Sequence, residues 1–306
     1  YKCNLNCRYC YTPAIEEDIN LKEIKSIINN FSGKVIDLSG GEPTLREDLE
    51  EIIAFIKQAG KYSNLTTNGL RISDLKYLRS LKKSGLNAVS LSLDSFNEEF
   101  YNLMKRGNAF EGNILELKNN ALANLEIEKM STCLSATIYP GLNDKEIGDL
   151  FIFSLKRSHF ISHLRLRSCV KIGRNTELNT NGYFASELLE LFSGQTGIDK
   201  KMLIDRFLTS EYHTPHHVFF KLEGRLRKNK FFPFLHRKHN SLLSRYLIDL
   251  PKQSILRKLI KIIINRLAIK KMYVRIIRWP TIENVDIQEA DRGVAVSYTH
   301  LTLPTN

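Results

Sequence analysis

The 306-residue chain has no run of 18 or more apolar residues, so its sequence contains no candidate helix able to cross a bilayer. No signal-peptide pattern opens it, and its five cysteines are too few and odd in number for the disulfide scaffold of a small secreted protein. No internal repeat is found. Acidic residues are scarce in one half only. The first 150 residues carry 18 Lys+Arg against 21 Asp+Glu, whereas the remainder carry 27 against 12. The net charge of +12 therefore belongs to a basic region that follows a near-neutral front module. The 42% apolar and 25% charged content is that of an ordinary globular chain.

Three of the five cysteines lie in the first ten residues, Cys3, Cys7 and Cys10, spaced C-x3-C-x2-C with Tyr9 before the last. A structural zinc site needs a fourth nitrogen or sulfur ligand, and the nearest histidine in sequence is His159. A disulfide would leave an odd thiol. Three thiolates on one short loop suit three irons of a [4Fe-4S] cluster, leaving the fourth iron without a protein ligand. An open coordination position is the arrangement that performs chemistry rather than holding a fold. Free thiols and such a cluster point to a reducing, cytoplasmic setting. The opening on Tyr1 rather than Met, so close to Cys3, suggests a fragment whose first strand precedes it.

The front half alternates strand and helix patterns. Helical spacing covers Leu21–Phe31, Arg46–Gln58, Ser73–Lys83 (with Ser73 as N-cap), Glu98–Asn124 (broken near Gly107) and Asp144–Lys156. Strand patterns cover Lys34–Leu38, Tyr62–Thr67, Asn87–Leu93, Ser131–Ile138 and His163–Ser168. This alternation predicts βαβ units and a parallel sheet. After about residue 175 the rhythm fades: Glu187–Ser193 and Lys200–Leu208 read as helices, and Ser254–Lys271 as a basic amphipathic helix before a strand-like Met272–Arg278. Residues 296–306 have no pattern continuous with what precedes them and read as a non-native tail.

The remaining candidates for chemistry fall at strand ends. Gly40-Gly41-Glu42-Pro43 follows the first strand; its glycines permit close backbone approach, and Glu42 offers a carboxylate. Together with Cys3, Cys7, Tyr9 and Cys10, this run resembles the radical S-adenosylmethionine (radical SAM) family. Thr66-Thr67-Asn68-Gly69 and Ser90-Leu91-Ser92-Leu93-Asp94-Ser95 look like that family's third and fourth barrel strands. The resemblance covers about residues 1–175. It implies an α/β partial (β/α)6 TIM-like barrel, its first strand truncated, followed by a basic, α-rich C-terminal extension at 176–295 that serves as substrate or lid region. It further implies that Cys3, Cys7 and Cys10 ligate a [4Fe-4S] cluster whose open iron chelates S-adenosylmethionine. Gly40, Gly41, Glu42 and Pro43 would line the methionine end, with Glu42 near the ammonium, and Tyr9 would lie beside the adenine. Asn68, Ser92 and Asp94 would serve the ribose and methionine polar groups. The implied reaction is reductive cleavage of S-adenosylmethionine to a 5′-deoxyadenosyl radical that takes hydrogen from a substrate. The implied electron donor is flavodoxin- or ferredoxin-like.

Other features are read from the residues alone. Arg165 and Arg167 alternate on the last strand and share a face, which suits contact with the cofactor carboxylate or an anionic substrate, or an outward pair over helix ends. Cys133 and Cys169 read as packing thiols, and His213, His216 and His217 as surface or packing histidines without metal spacing. The basic helix could rest on an anionic membrane surface or on RNA, or pack as a lid. Nucleic acid is not expected in the enzyme reading. The competing reading is a catalytically degenerate barrel acting as a basic RNA- or membrane-surface-binding protein. No cysteine follows Cys169, so ligands for auxiliary clusters are not seen.

Overall fold

A computed structural model describes residues 2–10, 19–104, 112–170, 182–204, 217–227, 229–233 and 269–277. The front half forms helix α1 (Leu21–Asn30), β1 (Val35–Leu38), α2 (Leu49–Gln58), β2 (Tyr62–Thr67), α3 (Leu75–Ser84), β3 (Ala88–Ser92), α4 (Glu98–Met104), α5 (Ile114–Ile127), β4 (Ser131–Ile138), α6 (Ile147–Lys156) and β5 (Ile161–Ser168). All five strands predicted from the sequence are present. β1 to β5 pair in sequence order and all in parallel.

The helices start where local chemistry caps them. Asn20 accepts from the Glu23 amide while Glu23 reaches back to the Asn20 amide, so two otherwise orphaned donors are satisfied at the start of α1. α3 is capped by Asp74, whose carboxylate accepts from Lys76 N at 2.8 Å. This corrects the expected Ser73 cap: Ser73 sits in a short 3-10 turn, with its hydroxyl donated to the Leu70 carbonyl. α2 begins three residues later than its pattern suggests, with Arg46 serving as the C-cap of a 3-10 turn over Pro43–Leu45 and Asp48 standing before the first helical residue, Leu49.

Successive side chains of the strands point to opposite sides, which creates two faces, with a bulge at Thr132/Cys133 in β4. Leu65, Val89, Leu91, Leu134, Ala136, Leu164 and Leu166 are fully buried against the apolar stripes of the helices, with Ile53, Ile56, Leu78, Leu125 and Phe151 facing them. The intervening residues, among them Asp37, Asn64, Ser90, Cys133, Arg165 and Arg167, point to the other face. One face is therefore a core, and the other is polar.

Beyond residue 175 the described chain adds α7 (Ala185–Thr196), α8 (Lys200–Ile204), β6 (His217–Arg227), β7 (Lys230–Pro233) and β8 (Ile269–Ile277). β8 pairs parallel to β5, and β6 lies antiparallel between β8 and β7, giving one eight-stranded sheet in the order β1-β2-β3-β4-β5-β8-β6-β7. The extension expected to be α-rich thus contributes three strands as well as helices. The strand expected at Met272 begins at Ile269, so the last three residues of the expected basic helix are extended. Their Ile-Lys-Lys-Met pattern fits either period, and pairing with β5 and β6 decides it. Phe220, Leu222, Met272, Val274 and Ile276 continue the same core. His213, His216, residues 254–268 and the tail 296–306 lie outside the described residues. His217 begins β6. No helix among the described residues is long and apolar enough to cross a membrane.

Candidate active site

The C-terminal ends of β1 to β5 and the cysteine loop surround one cavity, lined by Cys3, Cys7, Tyr9, Cys10, Gly40–Glu42, Thr66–Asn68, Ser92, Asp94, Thr137 and Arg167–Val170. Every cluster and cofactor residue implied by the resemblance lines it except Pro43, which lies buried immediately behind Glu42; of the arginine pair, Arg167 lines it and Arg165 does not. A larger cavity on the far side of Gly40–Glu42, between Lys2, α1 and α2, has no thiol in its lining.

The cysteine loop is held to the strand ends by four kinds of contact. The Glu42 amide donates to the Lys2 carbonyl at 2.9 Å, and the Arg8 amide to the Met104 carbonyl at 2.8 Å. Asn68 Nδ2 donates to Asn4 Oδ1 at 2.8 Å. Leu5 is buried among Leu70, Phe100, Tyr101 and Met104. Finally, the Tyr9 hydroxyl donates to Asp94 Oδ2 at 2.9 Å. Burial first, and then the Asp94 carboxylate, push the Tyr9 phenol well above its ordinary value, so it stays protonated as the donor. Gly40 adopts φ 152°, a conformation L-residues rarely take, which lets the β1 end turn beneath the loop.

Glu42 and Asp94 are buried carboxylates with a full set of donors. Glu42 Oε1 accepts from Thr44 N (3.1 Å), Thr44 Oγ1 (2.7 Å) and Thr67 Oγ1 (2.7 Å), and its Oε2 from Asn68 N at 2.7 Å. It joins the β1 turn to the β2 end. Asp94 takes the Tyr9 hydroxyl on one oxygen and Thr137 N (2.8 Å) on the other, joining the loop, β3 and β4. Such charge-assisted bonds are what makes a buried carboxylate tolerable. The sequence assigned both residues to the cofactor; the geometry also gives each a structural task.

Several positioning residues escaped the sequence reading. Lys118 of α5 is fully buried, and its ammonium donates to the Asn68 carbonyl at 2.7 Å and to the Ser92 carbonyl, clamping the β2 and β3 ends together. Asn143 donates to the Asp94 and Thr137 carbonyls at 2.7 and 2.9 Å. The Tyr101 hydroxyl donates to the Ser95 carbonyl at 2.8 Å and accepts from the amides of Asp94 and Ser95. Glu146 accepts from the Ser95 hydroxyl and the Phe96 amide, both at 2.6 Å. A lysine in an ordinary helix pattern carries no local signal of this role.

None of the five cysteines forms a disulfide. No group of three His, Cys, Asp or Glu side chains among the described residues converges closely enough for a single metal ion. Three thiols lining one cavity are the donor chemistry of a [4Fe-4S] cluster. The loop's donor set of three thiols matches a cluster with an open iron. Cys169, after the end of β5, also lines the cavity; it is buried, which pushes its thiol up to about 12. The Cys133 thiol is raised by burial, against the opposing pull of Arg165 and Arg167.

Comparison with known proteins agrees with this geometry. The chain is 29% identical over 187 residues to the 7,8-dihydro-6-hydroxymethylpterin dimethyltransferase of Methanocaldococcus jannaschii, covering 58% of this chain and 36% of that one. It is 38% identical over 134 residues to a probable GTP 3′,8-cyclase of Methanococcus maripaludis, covering 41% and 43%. The chain therefore spans less than half the length of either curated relative. Among solved structures, a tagged anSMEcpe with bound AdoMet superposes with a TM-score of 0.51 at 17% identity, over 66% of this chain and 58% of that one, a likeness of fold. The family description "Radical SAM superfamily" matches residues 1–153, half of the sequence. With three thiols, a Gly-Gly-Glu-Pro turn and five parallel strand ends around one cavity, this chain belongs to the radical SAM superfamily, whose cofactors are a [4Fe-4S] cluster and S-adenosylmethionine.

Proposed function

We propose that the chain is a radical SAM enzyme that cleaves S-adenosylmethionine reductively and uses the fragment to abstract hydrogen from a substrate. When bound, the cluster and S-adenosylmethionine supply an electron and, from it, the 5′-deoxyadenosyl radical. The chain's own residues bind, orient and exclude water. Cys3, Cys7 and Cys10 hold the cluster. Gly40 and Gly41 offer backbone at close range to the methionine end, with Glu42 and Pro43 fixing the turn. Asn68, Ser92 and Asp94 present polar groups at the β2 and β3 ends, and Tyr9 closes the side against Asp94. The observation that carries this reading is the convergence of the three thiols with the β1, β2 and β3 ends on one cavity.

The reaction needs a reductant, and a flavodoxin- or ferredoxin-like donor in a reducing, cytoplasmic setting suits it. Residues 1–175 form the cofactor-binding core in this reading, and 176–295 the substrate side. The test is anaerobic iron–sulfur reconstitution followed by assay for 5′-deoxyadenosine with dithionite. Production by the wild type, and loss of it in Cys3→Ala, Cys7→Ala and Cys10→Ala, is the expected result. A cluster-loaded protein that never yields 5′-deoxyadenosine would refute the assignment and favour a degenerate barrel with a basic binding surface.

A further inference from the structure

The face of the sheet opposite the core is mostly polar, and its positive charge is concentrated at one end. β5 and β8 run in register, with His163 opposite Tyr273 and Arg165 opposite Arg275; Arg167 lies one step further along β5. The His163 ring stacks on Tyr273 at 4.9 Å and 16°, which fixes both strands' odd-numbered side chains on this face. Leu164, Leu166, Val274 and Ile276 fill the core on the opposite face. Three guanidiniums are thus presented side by side from two adjacent strands.

Like charges directly opposite on neighbouring strands repel, and burial adds to the cost. Burial first, and then Arg165, lower the affinity of Arg275 for its proton. Among the described residues no carboxylate pairs with Arg165, Arg167 or Arg275. The acidic side chains on this face are engaged elsewhere: Asp37 of β1 accepts from Asn64 and Thr66, and Glu223 of β6 pairs with Lys221 and Lys271. Arg165 Nε, Arg167 Nε and the Ser135 hydroxyl between β3 and β5 are buried without a hydrogen-bond partner. Buried polar groups of this kind in a native fold call for a partner, an ordered water, an ion or a ligand. Arg167 also lines the cofactor cavity, so the cluster of charge begins at that cavity and runs away from it along β5 and β8.

We propose that Arg165, Arg167 and Arg275 with Ser135 form the seat for an oxyanion group of the substrate, a phosphoryl or a carboxylate. This rests on the reading of the cavity as the site of hydrogen abstraction and names the class of molecule that reaches it. The planar forks of three arginines suit bidentate oxyanion recognition.

The test uses the full chain without its cluster, so it is independent of whether the loaded protein cleaves S-adenosylmethionine. Pyrophosphate and citrate are titrated separately by calorimetry at low salt, and melting temperatures are read in parallel. At least one probe is expected to bind and to raise the melting temperature; pyrophosphate alone points to a phosphoryl, citrate alone to a carboxylate. Arg275→Gln should weaken that binding by about tenfold or more. It should also melt no lower than wild type without the anion, because a like-charge opposition has been removed. Failure of both probes to bind would overturn the proposal, as would equal binding by Arg275→Gln. A variant that melts lower while keeping the anion-induced rise would also overturn it. 5′-Deoxyadenosine production without anion binding would refute this seat alone.

Discussion

Replacing Glu42 by Gln changes one oxygen to an NH2 and nothing in shape, so its effect measures what the carboxylate does. Four donors converge on Glu42, three on Oε1 and the Asn68 amide on Oε2. A glutamine keeps one acceptor. In its less costly orientation the oxygen serves the Thr44 and Thr67 donors, and the NH2 faces the Asn68 amide. The lost bond to a charged acceptor costs about 1.5–3 kcal/mol, and the stranded donor adds about 1–3 kcal/mol. The sum, about 2.5–6 kcal/mol, reaches the high end for a point substitution. It corresponds to a melting temperature lower by roughly 5–24 °C at about 2–4 °C per kcal/mol. The assay is calorimetry of the cofactor-free protein, with Thr67→Val completing a double-mutant cycle in which a coupling above about 0.5 kcal/mol is expected. Were Glu42 held only for a ligand, it would be a buried charge in want of donors, and neutralising it would stabilise the protein. A Glu42→Gln variant melting at or above wild type, with no coupling to Thr67, refutes the reasoning.

Lys118→Met leaves the Asn68 and Ser92 carbonyls without their donor, and a loss of about 2–4 kcal/mol is expected in urea unfolding; an unchanged midpoint would contradict the clamp. Burial first, and then Arg165 and Arg275, hold the His163 imidazole below its ordinary value of about 6.5. Protonation is thus harder in the fold than in the unfolded chain. The contribution of His163 is full above about pH 6.5 and is lost as pH falls through the folded value. Arg275→Gln should raise the His163 value seen by NMR titration and shrink that acid-side loss, and a wild-type value at or above 6.5 would contradict the placement.

The five parallel strands were legible because each is a short apolar or alternating run between amphipathic helices, a pattern set by local periodicity. The cavity was legible for a related reason: Cys3–Cys10, Gly40–Pro43, Asn68, Ser92 and Asp94 all fall at loops or strand ends, and parallel strands bring their ends together. What periodicity could not show is pairing at a distance. Glu42 reads as an available carboxylate until Thr67 and Asn68, twenty-five and twenty-six residues on, are seen to saturate it. Lys118 reads as a solvated helix residue until α5 packs behind β2 and β3. β8 opens on Ile269-Lys270-Lys271, which in sequence continues the amphipathic pattern before it. Its strand identity comes from β5 on one side and β6 on the other, and the arginine pair across β5 and β8 appears only once that register is known.

The central claim is that three thiols hold a cluster whose fourth iron is open to this cavity. Electron paramagnetic resonance of the anaerobically reconstituted, dithionite-reduced protein tests it most directly, with and without S-adenosylmethionine. The account predicts a reduced-cluster signal whose shape changes when S-adenosylmethionine is added and which is absent from Cys7→Ala. A signal indifferent to S-adenosylmethionine, or one that survives loss of Cys7 unchanged, would contradict it.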